Sequence, residues 1–370
     1  MFDRGESASP LNIAYLGPEA SFSHQAAVEV FAPSSSSPPS RPASLHPLPS
    51  FTAIFSSIQN SSSTCSSSSE NISYDYAVIP IENSTNGSVF QILDLLAQCG
   101  LDSSALYPDV EVCAEYYLPV HHCLFVSSPP NSRDSKDPKQ SIRTLYTHPQ
   151  VWGQCGRFLS THFPPNLVER IDVGSTSAAA QLVAQESNGG FSAAIGSQLA
   201  GQKNNLVCLA ENIEDEPGSN TTRFFVVRNR KRPLDQTGYT SIERSSEHIK
   251  PLRYKSLITF TIPHAKPGSL ADALAVFKQH SFNLTSIDTR PSRQRNWQYV
   301  FFVECENIKA EATQDARVEW LSDNLRTLLD DLSKFTESLR CLGTFQDQLP
   351  RENGTGAEIA ADGCAELNRI

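Results

Sequence analysis

Leu11, Ile13 and Tyr15 alternate with polar or small residues, and Gly17-Pro18 ends the run. Period two followed by a breaker predicts a short strand. Ser21 or Ser23 then precedes Ala26, Ala27, Val30 and Phe31, a spacing that predicts a capped helix. Phe51, Ile54, Phe55 and Ile58 predict a second, amphipathic helix. A strand over 76–80 is followed by a polar loop and a helix carrying Val89, Ile92, Leu93 and Leu96 on one face. Further strands are expected at 118–126, 142–146, 168–173, 193–195, 206–209 and 223–228, with helices near 150–159 and 176–185. This alternation predicts parallel α/β sheets, and its irregular insertions fit two lobes around a cleft.

The Ser/Pro-rich stretch 33–49, the Ser tract 60–71 and the polar stretch 127–141 interrupt the pattern. The first two lack the apolar area needed to offset chain entropy and read as disordered insertions. Residues 230–251 are charged and polar and read as a linker. Beyond them the expected order is strand 256–262, helix 268–280, strands 284–290 and 297–305, helix 311–332 and a short strand 341–345. That βαββαβ order is the ferredoxin-like unit. The expected division is a catalytic domain over 11–229, with lobe one at 11–117 plus 205–229 and lobe two at 118–204. A second domain spans 252–350 and a polar tail 351–370.

The 370 residues exceed one ordinary core. No apolar run of eighteen residues exists, so no transmembrane helix is expected. The short polar start leaves no room for a leader before the first strand, which gives a cytoplasmic expectation. A formal net charge of -10 excludes a global basic field for nucleic acid. The nine cysteines are scattered without a zinc-like spacing, so neither a metal nor disulfides are expected.

Three segments concentrate polar chemistry. Glu82, Asn83, Ser84 and Thr85 follow the 76–80 strand, at the carboxyl end where open α/β sheets bind ligands. Ser175, Thr176 and Ser177 open a helix, where free N–H groups form an anion site. Thr222, Arg223 and Phe224 open an apolar strand, and an arginine there is suited to a bidentate carboxylate clamp. Each also has an ordinary structural explanation: a helix cap for the first two, a solvent-facing edge arginine for the third.

Taken in order, these segments resemble the prephenate dehydratase family. The resemblance runs through 17–27 (Gly17-Pro18-Glu19-Ala20-Ser21-Phe22-Ser23-His24-Gln25-Ala26-Ala27), 80–89, Thr147-His148-Pro149-Gln150 with Gln154-Cys155, 175–181 and 220–224. Five ordered motifs are far more specific than any one. Ala20 stands where the family usually has Gly. The later part resembles an ACT domain through Gly268-Ser269-Leu270 and Asp288-Thr289-Arg290-Pro291. Ser269 replaces an Ala there, and Asp288-Thr289 replace Glu-Ser.

The resemblance implies a two-lobed fold of the type II periplasmic-binding-protein kind, followed by a ferredoxin-like ACT domain. It also implies conversion of prephenate to phenylpyruvate, carbon dioxide and water without a cofactor. Thr222 takes the proton-donor role by resemblance. Arg223 is expected to grip the pyruvyl carboxylate, because an arginine on the ring carboxylate would oppose its loss as neutral carbon dioxide. Glu82 would orient Arg223 or Asn83, and Ser21, Phe22, Ser84, Thr85, Ser175, Thr176, Ser177 and Phe224 would contact substrate. Core packing is the competing role for Phe224, a polar brace for His24, a cleft-edge role for His121-His122 and core packing for Cys155. Gly268, Ser269, Leu270, Asp288, Thr289, Arg290 and Pro291 would bind L-phenylalanine as effector, in a homodimer or homotetramer. The alternatives are an arogenate dehydratase or a non-catalytic amino-acid sensor. Ten residues before the first strand leave no space for a fused chorismate mutase.

Overall fold

The computed structural model describes residues 9–31, 41–61, 72–100, 105–128, 137–186, 191–216, 218–232, 253–263, 265–307 and 314–349, with backbone alone for 314–322. It contains three sheets. The first has the order β2-β1-β3-β11-β5, from Ala43–Leu48, Leu11–Leu16, Tyr76–Asn83, Thr221–Asn229 and Val110–Pro119. The short β4, Gly87–Ser88, pairs with the end of β3. Helices α1 (Phe22–Phe31), α2 (Phe51–Gln59) and α3 (Phe90–Leu96) belong to this lobe. Ser50 caps α2 by accepting from the Ala53 N–H, and Ile54, Phe55 and Ile58 are fully buried, as their spacing predicts.

The second sheet has the order β10-β6-β9-β7-β8. Its strands are Val207–Ala210, Cys123–Val126, Ser192–Gly196, Thr144–Thr147 and Glu169–Asp172, and its helices are α4 (Pro149–Gln154), α5 (Gly156–His162), α6 (Thr176–Gln185) and α7 (Gln198–Lys203). The third is a ferredoxin-like sheet of order β13-β14-β12-β15, from Phe282–Pro291, Tyr299–Asn307, Tyr254–Thr261 and Ser338–Gln346. Helices α8 (Ser269–Gln279) and α9 (Gln314–Leu332) complete the βαββαβ order. Ile258, Phe260, Val303, Phe277 and Leu328 share one core, on the helix-bearing face. The other face, through Leu257, Val300, Phe302, Leu342 and Phe345, shares a core with Ile79, Phe225 and Leu96 of the first lobe. Period-two alternation thus makes β12, β14 and β15 two-sided.

Several expectations are corrected. The first two sheets are mixed rather than parallel, because β11 runs antiparallel to both β3 and β5, and β6 runs antiparallel to β9. Most of β5 was missed; its alternation is broken in sequence by the buried Glu115. The single strand expected over 118–126 is two, β5 and β6, and the residues between them link the lobes. Residues 43–48 were assigned to a disordered insertion, yet they form β2, parallel to β1 along its whole length. The expected division gave 205–229 to lobe one; β10 instead pairs with β6 in the second sheet, so the return link is 211–220. The expected insertion at 60–71, beyond Ser61, and the polar tail lie outside the described residues.

Candidate active site

Two links join the lobes, 120–122 outward and 211–220 on return, and they bond each other where the Val120 N–H donates to the Asn220 carbonyl, 2.8 Å. The polar segments singled out in sequence gather around them. Asn83 closes β3 and is the organising residue. Its Oδ1 accepts from the N–H groups of Thr85 (3.1 Å) and Asn86 (3.0 Å). Those two donors fix the amide orientation, so Nδ2 faces the other way. Nδ2 donates to Thr222 Oγ1 at 3.0 Å and to Asn220 Oδ1 at 2.8 Å. A hydroxyl that accepts from Asn83 keeps its own proton to donate. Thr222 sits half-buried at the start of β11, directly opposite Asn83 in register. Ser84 locks the same corner: its Oγ donates to the Ser219 carbonyl, 2.6 Å, and accepts from the Thr221 N–H, 2.9 Å. Thr85 is exposed and offers only its backbone to this turn.

From the second lobe, α6 points its N-terminus at residues 19–20 of the first. Ser175 caps it by accepting from the Ala178 N–H, and the Ser177 hydroxyl donates to the Glu19 carbonyl. The Ser175 and Ser177 hydroxyls expected to hold substrate are therefore committed, and the first-turn N–H groups of Thr176 and Ser177 are the open donors of that end. Thr176 and Ser177 are buried, and Gly196 passes so close that an added Cβ would meet the Thr176 carbonyl at 3.1 Å. Ala20 packs among Ala179, Ala180, Val183 and Ala194 of the second lobe with φ 62. That left-handed backbone is where glycine is at ease.

Ser21 accepts from the His24 N–H at 3.2 Å, a cap for α1 rather than a free ligand. His24 is the expected brace: its Nδ1 accepts from the Ala20 N–H, 2.9 Å, and its ring stacks on Tyr15 at 4.8 Å. Phe22 meets His122 edge to face, 5.9 Å. Phe224 is buried in the first-lobe core, and Cys155 is buried in that of the second.

His122 matters more than the sequence suggests. It lies in the outward link, 1% exposed, with Nε2 2.7 Å from Gln154 Oε1 and Nδ1 without a partner. An N–H at Nε2 leaves a bare lone pair on Nδ1. Burial pushes its pKa down, although Gln154 and Glu214 pull the other way, so the ring is neutral. His24 and His148 are likewise held down, first by burial. A folded-state pKa below the ordinary 6.5 means that stability is complete above that value and is lost as pH falls through the lower folded value. The thermal midpoint is therefore expected to drop between pH 7.5 and pH 5.5, and His122→Gln should reduce the drop. A midpoint flat across that range would contradict the neutral, buried ring.

Arg223 departs most from expectation. Its guanidinium does not face the Thr222 hydroxyl but turns to the third sheet. Nε donates to Glu115 Oε2 at 2.8 Å and Nη1 to Glu304 Oε1 at 2.8 Å, while Nη2 bonds both carboxylates. The clamp expected for substrate is filled by two protein carboxylates, because successive strand residues point to opposite faces and Thr222 takes the cleft face. Glu82 is exposed and bonds neither Arg223 nor Asn83. Sequence reasoning missed Glu115 and Glu304. Their signal was a carboxylate at an inward position of an otherwise apolar strand.

The expected effector segments sit on the third unit. Gly268 has φ 84 and precedes α8, the Ser269 hydroxyl donates to the Lys266 carbonyl, and Leu270 packs on the core. Along β13, Thr289 and Pro291 are exposed, Asp288 lies 3.4 Å from the Ser88 hydroxyl, and Arg290 pairs with Asp94 and covers Phe90 at 5.1 Å. Ser88 lies within the 80–89 segment, and Phe90 and Asp94 follow it on α3.

A family model described as prephenate dehydratase matches residues 13–232. The chain is similar to the probable prephenate dehydratase of Saccharomyces cerevisiae, 33% identical over 322 residues, which cover 80% of this chain and 88% of that protein. Two solved structures share the fold. One is a prephenate dehydratase from Arthrobacter aurescens in complex with L-Phe, with TM-score 0.65, 22% identity and coverage of 90% of this chain and 89% of that one. The other is a quorum quenching acylase, with TM-score 0.64, 20% identity and coverage of 90% and 97%. At those identities both speak to the fold alone.

Proposed function

The chain belongs to the prephenate dehydratase family, and we propose that its interlobe corner converts prephenate to phenylpyruvate, carbon dioxide and water with Thr222 as proton donor. The observation that carries this reading is the Asn83–Thr222 hydrogen bond, which leaves the threonine proton free for an acceptor in the cleft. Breaking the ring carbon–carboxylate bond releases neutral carbon dioxide, and its electron pair moves into the ring. The ring becomes aromatic as the C4–oxygen bond breaks, and the departing hydroxide takes a proton to leave as water. Aromaticity supplies the driving force, so the protein's task is to orient the substrate and stabilise the departing oxygen. A neutral hydroxyl suffices as a directed donor, and solvent restores its proton.

With Arg223 engaged elsewhere, we assign the pyruvyl carboxylate to the Thr176 and Ser177 N–H groups at the start of α6, where the helix dipole favours an anion. The ring carboxylate then meets neutral groups, which do not hold it back from leaving. Phe22 and the His122 lone pair lie beside this space, and the latter is an acceptor for a substrate hydroxyl. Turnover of prephenate by the full chain, with phenylpyruvate as product, tests the reading.

The βαββαβ unit serves as an ACT domain that binds L-phenylalanine as a feedback effector. Supporting this, the Arthrobacter aurescens structure of the same fold was obtained with L-Phe. Strand β13 pairs with β14 on one side and is the outer strand of its sheet, and Ile287, Trp297 and Tyr299 are exposed near it. An open strand edge with apolar neighbours favours pairing with a second copy, as a homodimer or homotetramer. Because Arg290 ties the effector strand to α3, Arg290→Ala should abolish the phenylalanine response and leave basal turnover within about twofold. Inhibition curves retained in that variant would place the effector elsewhere.

A further inference from the structure

Five charged side chains meet where the third sheet packs on the first lobe. Glu115 (β5) and Arg223 (β11) come from the first lobe. Lys255 (β12), Glu304 (β14) and Asp347, just past β15, come from the ferredoxin-like unit. Lys255 Nζ lies 3.3 Å from Glu115 and 2.9 Å from Asp347, and the Gln348 N–H donates to Glu115 at 2.8 Å. The Arg223 guanidinium is also flanked by Phe225 at 4.8 Å and Tyr117 at 5.7 Å. Glu115, Glu304, Lys255 and Arg223 are all buried.

Stability alone is a poor reason for this arrangement. Burying charges costs desolvation that apolar residues of similar volume avoid, so such clusters are often no better than packed hydrocarbon. What a doubly engaged guanidinium provides is a fixed plane and direction. That direction is imposed at an unusual place. Against β3, β11 pairs Arg223 with Glu82 and Phe224 with Pro80, so β3 carries an extra residue, Ile81, opposite this point, while β11 keeps continuous register with β5 through Arg223. Such irregularities next to a site re-aim the side chains beside them. Asn83, two residues past Ile81 on β3, is the side chain that bonds Thr222.

We propose that Glu304, on the ferredoxin-like unit, is a positioning residue for the dehydration step: it and Glu115 hold Arg223, which pins β11 opposite the β3 bulge and so aims Thr222 at the cleft. This rests on Thr222 as proton donor. It makes the regulatory unit a structural part of the catalytic corner rather than an appendage. The carboxylate that does so is within reach of the effector strand, since Ser286 Oγ lies 3.5 Å from Glu304 Oε1 and Ser286 pairs with Glu304 in register.

Glu304→Gln keeps the side-chain volume but removes one of the two acceptor oxygens and the charge, and Glu304→Asp keeps the charge on a shorter arm. In the full-length protein, kcat should fall in the order wild type, Glu304→Asp, Glu304→Gln, by about tenfold for the last, with KM for prephenate within about twofold throughout. Circular dichroism and a thermal melt establish folding. If only Glu304→Asp folds, its kcat must still lie below wild type. Wild-type kcat in a folded variant overturns the proposal. So does a raised KM with kcat intact, which would mean that Arg223 acts on substrate directly. A wild-type protein that does not turn over prephenate refutes the dehydratase reading itself, a separate failure.

Discussion

Thr222→Ala is expected to lower kcat for phenylpyruvate formation by about two to four powers of ten, the usual worth of a positioned proton donor. KM should change by less than about threefold, because the hydroxyl is engaged fully only as the C4–oxygen bond breaks. The geometry makes the effect specific. Asn83 Nδ2 occupies the lone-pair side of Thr222 Oγ1, so the proton is the group left to meet substrate. Thr222→Ser keeps the donor and loses a methyl, and should retain kcat within about tenfold. Steady-state assays on the three proteins settle the matter. An alanine variant with wild-type kcat would remove Thr222 from the chemistry.

Replacing Arg223 should act first on folding. Arg223→Met leaves Glu115 and Glu304 buried without their shared cation, a loss of about 3–5 kcal/mol for a broken buried pair. Burial pushes the Glu115 pKa up even with Arg223 and Lys255 beside it, and the hydrogen bond and charge of Glu304 lift Arg223 against the opposing effect of its burial. Without the cation Glu115 is driven further toward the neutral form. Its folded pKa then exceeds the unfolded one by more than in the native protein, so the variant loses further stability as pH rises through the folded value and regains it toward acid. Denaturant melts at pH 5.5 and pH 8 should therefore show a larger deficit against wild type at pH 8. A substrate clamp would behave differently: the variant would melt like wild type, and KM would rise.

The elements with clean periodicity were legible in sequence. Helix α6 falls at Thr176–Gln185 as expected, since Ser175 supplies its cap and the apolar spacing its face. The βαββαβ order was readable for the same reason. Strand β5 was not, because, as the outer strand of its sheet, it carries Glu115 inward toward a cation from another strand. A charged residue in a strand reads as a surface position until its partner is known, and that partner lies 108 residues away. The same distance in sequence hid the true direction of Arg223. Its residue type announced a carboxylate but not whose. Asn83 and Thr222 were both named from motif, yet their mutual bond spans 139 residues and only the fold brings them together. His121-His122 were given a cleft-edge role, but the pair says nothing of burial, and the importance of His122 comes from the link between lobes that encloses it.

The central claim is that this corner removes carbon dioxide and water from prephenate. The most direct measurement incubates the full-length protein with prephenate, and separately with arogenate, and follows the aromatic product by its absorbance and by mass. Phenylpyruvate from prephenate, at a higher kcat/KM than phenylalanine from arogenate and strongly reduced in Thr222→Ala, is the predicted result. No phenylpyruvate above the uncatalysed background, with the protein shown to be folded, would contradict it.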